Sequence, residues 1–272
     1  MRIEELAPEV LMFVGDEVES VATAFIHGDE AVLVDALGSV EDAQWLRTTL
    51  CDVLGKTVRM IAATHYMSDH LAALHLFPEA LVLAHRHHRA TFLSQNQRVD
   101  AFYREPDLAF DNMVLRWGRH ELRFAHNPGK TIDHLSVDVP SADLICMGDG
   151  IVGNIVYLSK ADPALMRSAI ARARRWGRRK VVGGHMGAFD AVVLDHATYY
   201  LTRIQQQVTA IRVRAAESQV DPEIAAIPIE SCLAPGVQPC AFEREWHRRN
   251  LHAIAAQSIF ALDAARLSQV VA

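Results

Sequence analysis

The chain of 272 residues lacks several features that define common classes of protein. It has only four cysteines, none in a C-x-x-C spacing, so neither a structural zinc site nor a dithiol redox motif is indicated. Cys232 and Cys240 flank a loop with proline and glycine and could pair in an oxidising compartment, but reduced thiols are expected in a cytosol. No apolar run reaches the length needed to span a membrane, which argues against a membrane protein.

Basic residues are not in excess either. The 27 lysines and arginines against 33 aspartates and glutamates give a formal net charge of -6, which argues against nucleic acid or an acidic membrane surface as a partner. We therefore interpret the basic run from Arg167 to Lys180 as a solvated helix face. Residues 1–10 carry acids where a signal peptide needs basic and then apolar residues, so a cytoplasmic location is expected.

The length and composition bound the fold. At 272 residues and 50% hydrophobic, the chain can bury a large core as one domain or as one domain with an appendage. Helical and strand-like segments alternate, which indicates an α/β sandwich. Ser39 is a predicted N-cap of a helix that reaches Cys51, and Asp162 with Pro163 opens another that runs to about Trp176.

The most informative stretch covers residues 58–70. Its first half is apolar enough for a central strand, and two imidazoles and a carboxylate follow at His65, Asp69 and His70. These ligands suit a borderline divalent metal such as zinc, iron or manganese, and a short turn can aim three of them at one point. The alternative is a helix N-terminus capped by Ser68 or Asp69, with His65 as an ordinary turn residue.

The segment His65–His70 resembles the H-x-H-x-D-H signature of the metallo-β-lactamase fold superfamily. Further motifs of that family follow in the same order along the chain. Residues 127–131 resemble its P-G-H-T turn, Met147–Asp149 its G-D turn and Val182–His185 its last metal histidine, while the opening hairpins end in a strand at Asp35. Correctly ordered motifs are much more specific than a single match.

The resemblance implies an αββα metallo-β-lactamase-like sandwich, which we assign to residues 1–195. A C-terminal helical extension, residues 196–272, is expected to pack on it. This extension contains an amphipathic helix from about Ala197, a linker over residues 221–240 and a second helix from Phe242 to Leu267. Such tails cover the sandwich or pair subunits in some relatives, so a homodimer formed through these helices is one expectation.

Two positions depart from the family pattern. The resemblance implies that the first metal would be held by the positions that here read His65, Met67 and Lys130, so two of its three ligands are missing. The ligands implied for the second metal are all present: Asp69, His70, His185 and the bridging Asp149. We therefore expect one divalent metal ion rather than a dinuclear centre, with zinc preferred and iron or manganese as alternatives.

Three further residues near the motifs have open roles. Met67 is expected to fill space, because a thioether suits Cu(I) or haem iron better than zinc. Lys130 would place a positive charge at the vacant metal position, where it could orient an anionic substrate, stabilise an oxyanion or, with a lowered pKa, act as a base. The alternative is an exposed loop lysine without a role. His134, at the start of a strand, is a candidate substitute ligand.

Two other stretches bear on specificity. Residues 96–113 are predicted to form a loop over the mouth of the site, and the glycine-bearing segment 150–160 is predicted to line a pocket. The imidazole-rich run His85-Arg-His87-His88 could bind metal, but the resemblance supplies no ligand there and surface histidines are expected.

The favoured function is metal-dependent hydrolysis of a small ester, lactone, thioester or amide. A metal held by Asp69, His70 and His185 would lower the pKa of a bound water, and Lys130 or the metal would polarise the carbonyl. Asp69 could instead shuttle the proton. Two alternatives remain open: a mononuclear iron or manganese oxidative enzyme, and a non-catalytic protein of this fold that acts as a binding or assembly module.

Overall fold

The computed structural model describes residues 1–261, and in this part of the chain strands and helices alternate. Two β-sheets face each other across a shared apolar layer to which both contribute, including Phe25 from one sheet and Phe124 from the other. Helices cover both outer surfaces. The predicted αββα sandwich is confirmed.

The first sheet has seven strands in chain order. They are β1 Arg2–Ala7, β2 Val10–Val14, β3 Val21–His27, β4 Glu30–Val34, β5 Thr57–Ala62, β6 Leu81–His85 and β7 Leu108–Phe110. Strands β1 to β4 are antiparallel, whereas β4 to β7 are parallel. The residues that follow β4, β5 and β6 therefore leave the sheet at one edge.

The second sheet has six strands. They are β8 Met113–Trp117, β9 His120–His126, β10 Leu135–Val139, β11 Leu144–Gly148, β12 Lys180–Gly183 and β13 Ala188–Asp190, arranged in the order β13-β12-β11-β10-β9-β8. Strands β11 and β12 are parallel and end at the same edge, and β10, antiparallel to β11, begins there. This arrangement brings the beginning of β10 and the residues after β11 and β12 together.

Six α-helices lie in the described residues, and two of them begin at their predicted N-caps, Ser39 and Asp162. The six are α1 Val40–Arg47, α2 His88–Leu93, α3 Pro163–Trp176, α4 Val193–Arg214, α5 Glu217–Ala225 and α6 Ala241–Ala256. The Ser39 hydroxyl caps α1 by accepting a hydrogen bond from the Asp42 amide, and the Asp162 carboxylate caps α3 in the same way. After Arg47 the helix continues as a wider π turn, Thr48–Val53.

No regular helix follows β5, and residues 68–76 contain only two short 3-10 turns, Ser68–His70 and Leu74–Leu76. The reason lies in the backbone hydrogen bonds. The amides of Ala72 and Ala73 donate to carbonyl oxygens of the segment after β4, at 3.1 and 2.9 Å, and so cannot serve a regular helix.

The C-terminal helices share one apolar cluster with the second sheet, as Tyr200 of α4 and Ile254 of α6 show. The predicted linker over residues 221–240 is wrong in part, because α5 extends to Ala225 and buries Ile224. The last helix is shorter than predicted, because α6 ends at Ala256, and the predicted end at Leu267 lies outside the described residues. The boundary at residue 195 falls inside the first turn of α4 and stays a prediction.

Within residues 1–261, no helix combines the length and the apolar character needed to cross a membrane.

Candidate metal centre

The sheet edges described above bring the predicted ligands together. His70 lies beyond the end of β5, Asp149 follows β11 and His185 follows β12. Oδ1 of Asp149 lies 3.2 Å from Nε2 of both His70 and His185. Oδ2 of Asp69 lies 3.5 Å from Nε2 of His185 and 3.9 Å from Nε2 of His70. His70 and His185 therefore each face both carboxylates, and Asp69, His70 and His185 form one group of potential ligands.

These distances fit a divalent ion. Ligand atoms about 2.0–2.1 Å from a tetrahedral zinc ion lie roughly 3.3 Å from one another. The side chains of His70, Asp149 and His185 are at most 3% exposed. Nε2 of His70 and Oδ1 of Asp149 are buried without a hydrogen-bond partner, which is costly unless another group satisfies them. A bound cation would supply that group.

The charges in the site favour added positive charge. Burial lowers the pKa of His185, but the carboxylates of Asp149 and Asp69 outweigh burial and raise it. The same holds for the pKa of His70. Burial raises the pKa of Asp149, yet the three neighbouring imidazoles of His185, His70 and His65 hold it well below its usual range. A divalent cation would satisfy the same carboxylates in place of protons.

His65 lies on the other side of the bridging carboxylate. Its Nε2 is 3.5 Å from Oδ2 of Asp149, and its Nδ1 is 3.0 Å from the Thr64 hydroxyl. Because that hydroxyl donates its proton to Asp35, it can only accept from His65, so Nδ1 of His65 carries the hydrogen. Nε2 of His65 is then the free ligand atom. His65, His70 and Asp149 form a second group of potential ligands.

Asp35 organises this edge of the first sheet. Its carboxylate accepts hydrogen bonds from the amide and hydroxyl of Thr64, at 2.7 and 2.8 Å, and lies 3.5 Å from Nδ1 of His70. Its backbone has a φ of +61°, a strained value for a residue other than glycine. Asp35 thus turns Nε2 of His70 toward the site, as carboxylates behind metal histidines commonly do.

His185 is oriented by a backbone group that the sequence gives no means of finding. Its Nδ1 donates to the carbonyl oxygen of Val18 at 2.7 Å, so Nε2 carries the lone pair that faces the other ligands. Val18 lies in a turn that the buried Asp42 carboxylate holds by accepting from the amides of Asp16 and Glu17, both at 3.0 Å. Asp42 therefore acts at a distance on the orientation of His185.

The two residues that depart from the family pattern do not restore a first metal site. Met67 is half-buried beside the ligands and lines the cavities described below. Lys130 is 1% exposed, so the alternative of an exposed lysine is wrong. Its Nζ donates to the carbonyl oxygen of Ser159 at 2.8 Å and lies 4.0 Å from the centre of the Tyr157 ring.

Burial lowers the pKa of Lys130 to about 8, although Asp149 and Asp69 oppose the shift. The lowered pKa expected from the sequence is confirmed. His134 is also buried near the site, with its ring centre 5.3 Å from that of His65, and burial together with His65 lowers its pKa to about 3. His134 belongs to neither group of potential ligands found within residues 1–261.

Two cavities meet at the site and share Gly38, Met67 and Asp69. The smaller, about 260 Å³, is bounded by Asp149, His185 and Tyr157 and by side chains of α6. The larger, about 730 Å³, is bounded by residues 95–100 and Phe102. Only the first part of the loop predicted over residues 96–113 therefore covers the site, because β7 and β8 occupy much of residues 107–117.

The prediction that the histidines of residues 85–88 lie on the surface is wrong for His85 and His88. His85 and His88 are 1% and 0% exposed, because they follow β6 into the space between that strand and the start of β10. His88 Nδ1 lies 3.2 Å from Oδ2 of the buried Asp133, and the ring of His85 stacks on His126. Burial and His126 lower the pKa of His85 to about 4. His88 therefore pairs with Asp133, and His85 with His126. Within the described chain, none of them belongs to a group of potential metal ligands.

The chain shares its family and its fold with known proteins. A model of the metallo-beta-lactamase superfamily matches residues 15–185. A metallo-beta-lactamase from Pontibacter korlensis is 20% identical with a TM-score of 0.63, and the match covers 74% of this chain and 98% of that one. A metallo-beta-lactamase from Erythrobacter litoralis is 19% identical with a TM-score of 0.59, over 72% of this chain and 93% of that one.

A third solved structure, DIM-1 metallo-beta-lactamase, is 19% identical with a TM-score of 0.61, over 72% of this chain and 94% of that one. A search of curated protein sequences finds no match. The chain belongs to the metallo-beta-lactamase superfamily. Membership implies binding of a divalent metal and supports a metal-dependent hydrolase in general terms.

Proposed function

We propose that this protein is a hydrolase of small esters, lactones, thioesters or amides that works with one divalent metal ion. The observation that carries the proposal is the asymmetry of the site. On one side of Asp149, Nε2 of His70 and Nε2 of His185 each lie 3.2 Å from Oδ1 of Asp149 and 3.5–3.9 Å from Oδ2 of Asp69. On the other side, His65 lies 3.5 Å from Oδ2 of Asp149, and Met67 and Lys130 stand where the family pattern has its other two ligands.

Asp69, His70, Asp149 and His185 would hold the ion, with His65 beside it. When bound, such an ion lowers the pKa of a coordinated water and polarises a carbonyl oxygen. His70 and His185 would bind the ion through Nε2. Nδ1 of His70 faces the Asp35 carboxylate, and Nδ1 of His185 donates to the Val18 carbonyl oxygen. Zinc suits this set of imidazoles and carboxylates, and iron or manganese would also be accepted.

As the alternative to holding the ion, Asp69 would move the proton. Its side chain is 33% exposed, whereas that of Asp149 is 3% exposed, so Asp69 is the carboxylate that faces both cavities. A carboxylate in this place can accept a proton from the attacking water and pass it to the leaving group.

Lys130 would act by charge rather than by direct contact. Its ammonium group is buried against Tyr157 and the carbonyl of Ser159. Mostly protonated at neutral pH, it would balance the carboxylates of Asp149 and Asp69 at the position where the family pattern has another metal ion. The same charge would stabilise negative charge that develops on the substrate.

The test is hydrolysis of 4-nitrophenyl acetate and of a simple lactone by protein reconstituted with zinc, iron or manganese. We expect activity that needs metal, falls by at least 100-fold in a His70→Ala variant, and persists in His252→Ala, an exposed histidine of α6. Oxygen consumption by the iron form without hydrolysis would favour the oxidative alternative. Absence of bound metal and of both activities would favour a non-catalytic binding protein.

A further inference from the structure

The wall of the smaller cavity opposite the metal ligands comes from α6, outside the residues matched by the family model. Trp246 and Arg249 of this helix bound the cavity together with Asp69, Asp149 and His185. The ring of Trp246 lies 5.8 Å from that of His185, centre to centre. Any substrate in this cavity that reaches His185 must therefore pass close to α6.

Arg249 presents an unused hydrogen-bonding surface to this cavity. Its guanidinium carbon lies 4.1 Å from the centre of the Trp246 ring, and its Nε donates to Glu245 at 2.8 Å. Within the described part of the chain, neither terminal amino group of Arg249 has an acceptor. A guanidinium fixed on an aromatic ring with both amino groups open is suited to a carboxylate, which it binds through two parallel hydrogen bonds.

The position of α6 is fixed by polar contacts with the loop after β11. The buried Glu243 carboxylate accepts from the amide of Asn154 at 2.7 Å. The buried Asn250 side chain accepts from the amide of Leu158 and donates to the carbonyl of Val156, both at 2.7 Å. Because this loop begins at Asp149, the Trp246 and Arg249 wall is held at a set distance from the ligands.

The charges around the cavity are not all of one sign. Asp69 and Asp149 would be neutralised by the metal ion, and Glu245 already pairs with Arg249. Glu17 also bounds the cavity and would repel an anion placed beside it. An anion is therefore favoured at the Arg249 end of the cavity, with the neighbouring apolar part of the substrate against Trp246.

We propose that Arg249, held on Trp246, binds the carboxylate of the substrate, so that the protein acts on small acyl compounds that carry a free carboxylate beside an apolar segment. This inference rests on the proposed function. A cavity of about 260 Å³ limits that part of the substrate to a small molecule. The scissile carbonyl would lie near Asp69, where the two cavities meet.

The experiment compares a neutral ester, 4-nitrophenyl acetate, with an anionic one, 4-nitrophenyl hydrogen glutarate, on the zinc-loaded full chain. We expect kcat/KM to be higher for the anionic ester. In Arg249→Gln the ratio of the two kcat/KM values should fall roughly 10- to 100-fold, the effect of losing a charge-assisted hydrogen bond. Arg248→Gln is the matched control, since Arg248 also pairs with Glu245 but does not bound this cavity.

An unchanged ratio in Arg249→Gln, or an equal fall in Arg248→Gln, would overturn the inference while leaving the hydrolase intact. If neither ester is cleaved, the proposed function fails and a binding titration decides the inference separately. Glutarate should then change the tryptophan fluorescence of the wild type in a saturable way and bind at least 10-fold more weakly to Arg249→Gln. Equal binding to both proteins, or tighter binding of inorganic phosphate than of glutarate, would reject the carboxylate site.

Discussion

The carbonyl oxygen of Val18 accepts a 2.7 Å hydrogen bond from Nδ1 of His185, a residue 167 positions later in the chain. Val18 and Glu19 both have positive φ values, +48° and +47°, which residues with a side chain adopt only under constraint. The constraint comes from Asp42, whose carboxylate holds the two amides just before this turn. The orientation of His185 therefore depends on a carboxylate in α1, and its binding of a metal ion would depend on the same carboxylate.

Replacing Asp42 by asparagine should weaken zinc binding about 10-fold. An amide can accept only through its oxygen, so one of the two amide contacts is lost and the Val18 carbonyl is less firmly held. Competition with a chromogenic chelator measures the affinity. Glu41→Gln is the control, because Glu41 lies in the same helical turn but is exposed. Equal zinc affinity in both variants would contradict a positioning role for Asp42.

Lys130 should make the stability of the metal-free protein depend on pH. Burial lowers the pKa of Lys130 from 10.5 to about 8, so between these values the unfolded state binds the proton and the folded state does not. The free energy of unfolding should therefore rise with pH from about 8 towards 10.5, by about 3 kcal/mol in total. Below pH 8 this dependence is absent, because both states are protonated.

Urea unfolding of the wild type and of Lys130→Met between pH 7.5 and 10 measures this dependence. The methionine variant keeps a similar volume without a titrating group, so other titrations cancel in the difference. We expect Lys130→Met to be the more stable protein at pH 7.5 and the difference to shrink as the pH rises. Parallel stability curves would show that Lys130 does not titrate in this range.

Restoring the two missing histidines should create a second metal site. In the Met67→His, Lys130→His double variant, two new imidazoles would join His65 beside Oδ2 of Asp149. Metal analysis should give about two equivalents for the double variant and about one for each single variant, since a single added histidine leaves the first site one ligand short. One equivalent in the double variant would mean that residues 67 and 130 do not face that position.

The grouping of the candidate ligands could be predicted because each of them lies beyond the end of a strand. His65, Asp69 and His70 come within a few residues of β5, and Asp149 and His185 come directly after β11 and β12, so local pattern and motif order sufficed. The α/β sandwich followed from the same alternation. The capping residues of α1 and α3 were also predictable, because a cap acts on amides two or three positions away.

The remaining parts of the site depend on contacts between distant segments. Val18 acts on His185 through its backbone carbonyl, and the Asp42 carboxylate accepts from backbone amides that any residue type could supply. In the sequence, Trp246 and Arg249 occupy ordinary positions of an amphipathic helix. No neighbouring residue indicates which cavity α6 covers. The buried pair of His88 and Asp133 could have been suspected from the histidine cluster, but its partner lies 45 residues away.

The most direct test of the one-metal centre is elemental analysis of the purified protein beside a His70→Ala, His185→Ala double variant. The wild type should hold about one equivalent of zinc, iron or manganese, and the variant should hold none, because both imidazoles face Oδ1 of Asp149. Two equivalents in the wild type would contradict the loss of the first site. Metal that persists in the variant would place the ion elsewhere in the chain.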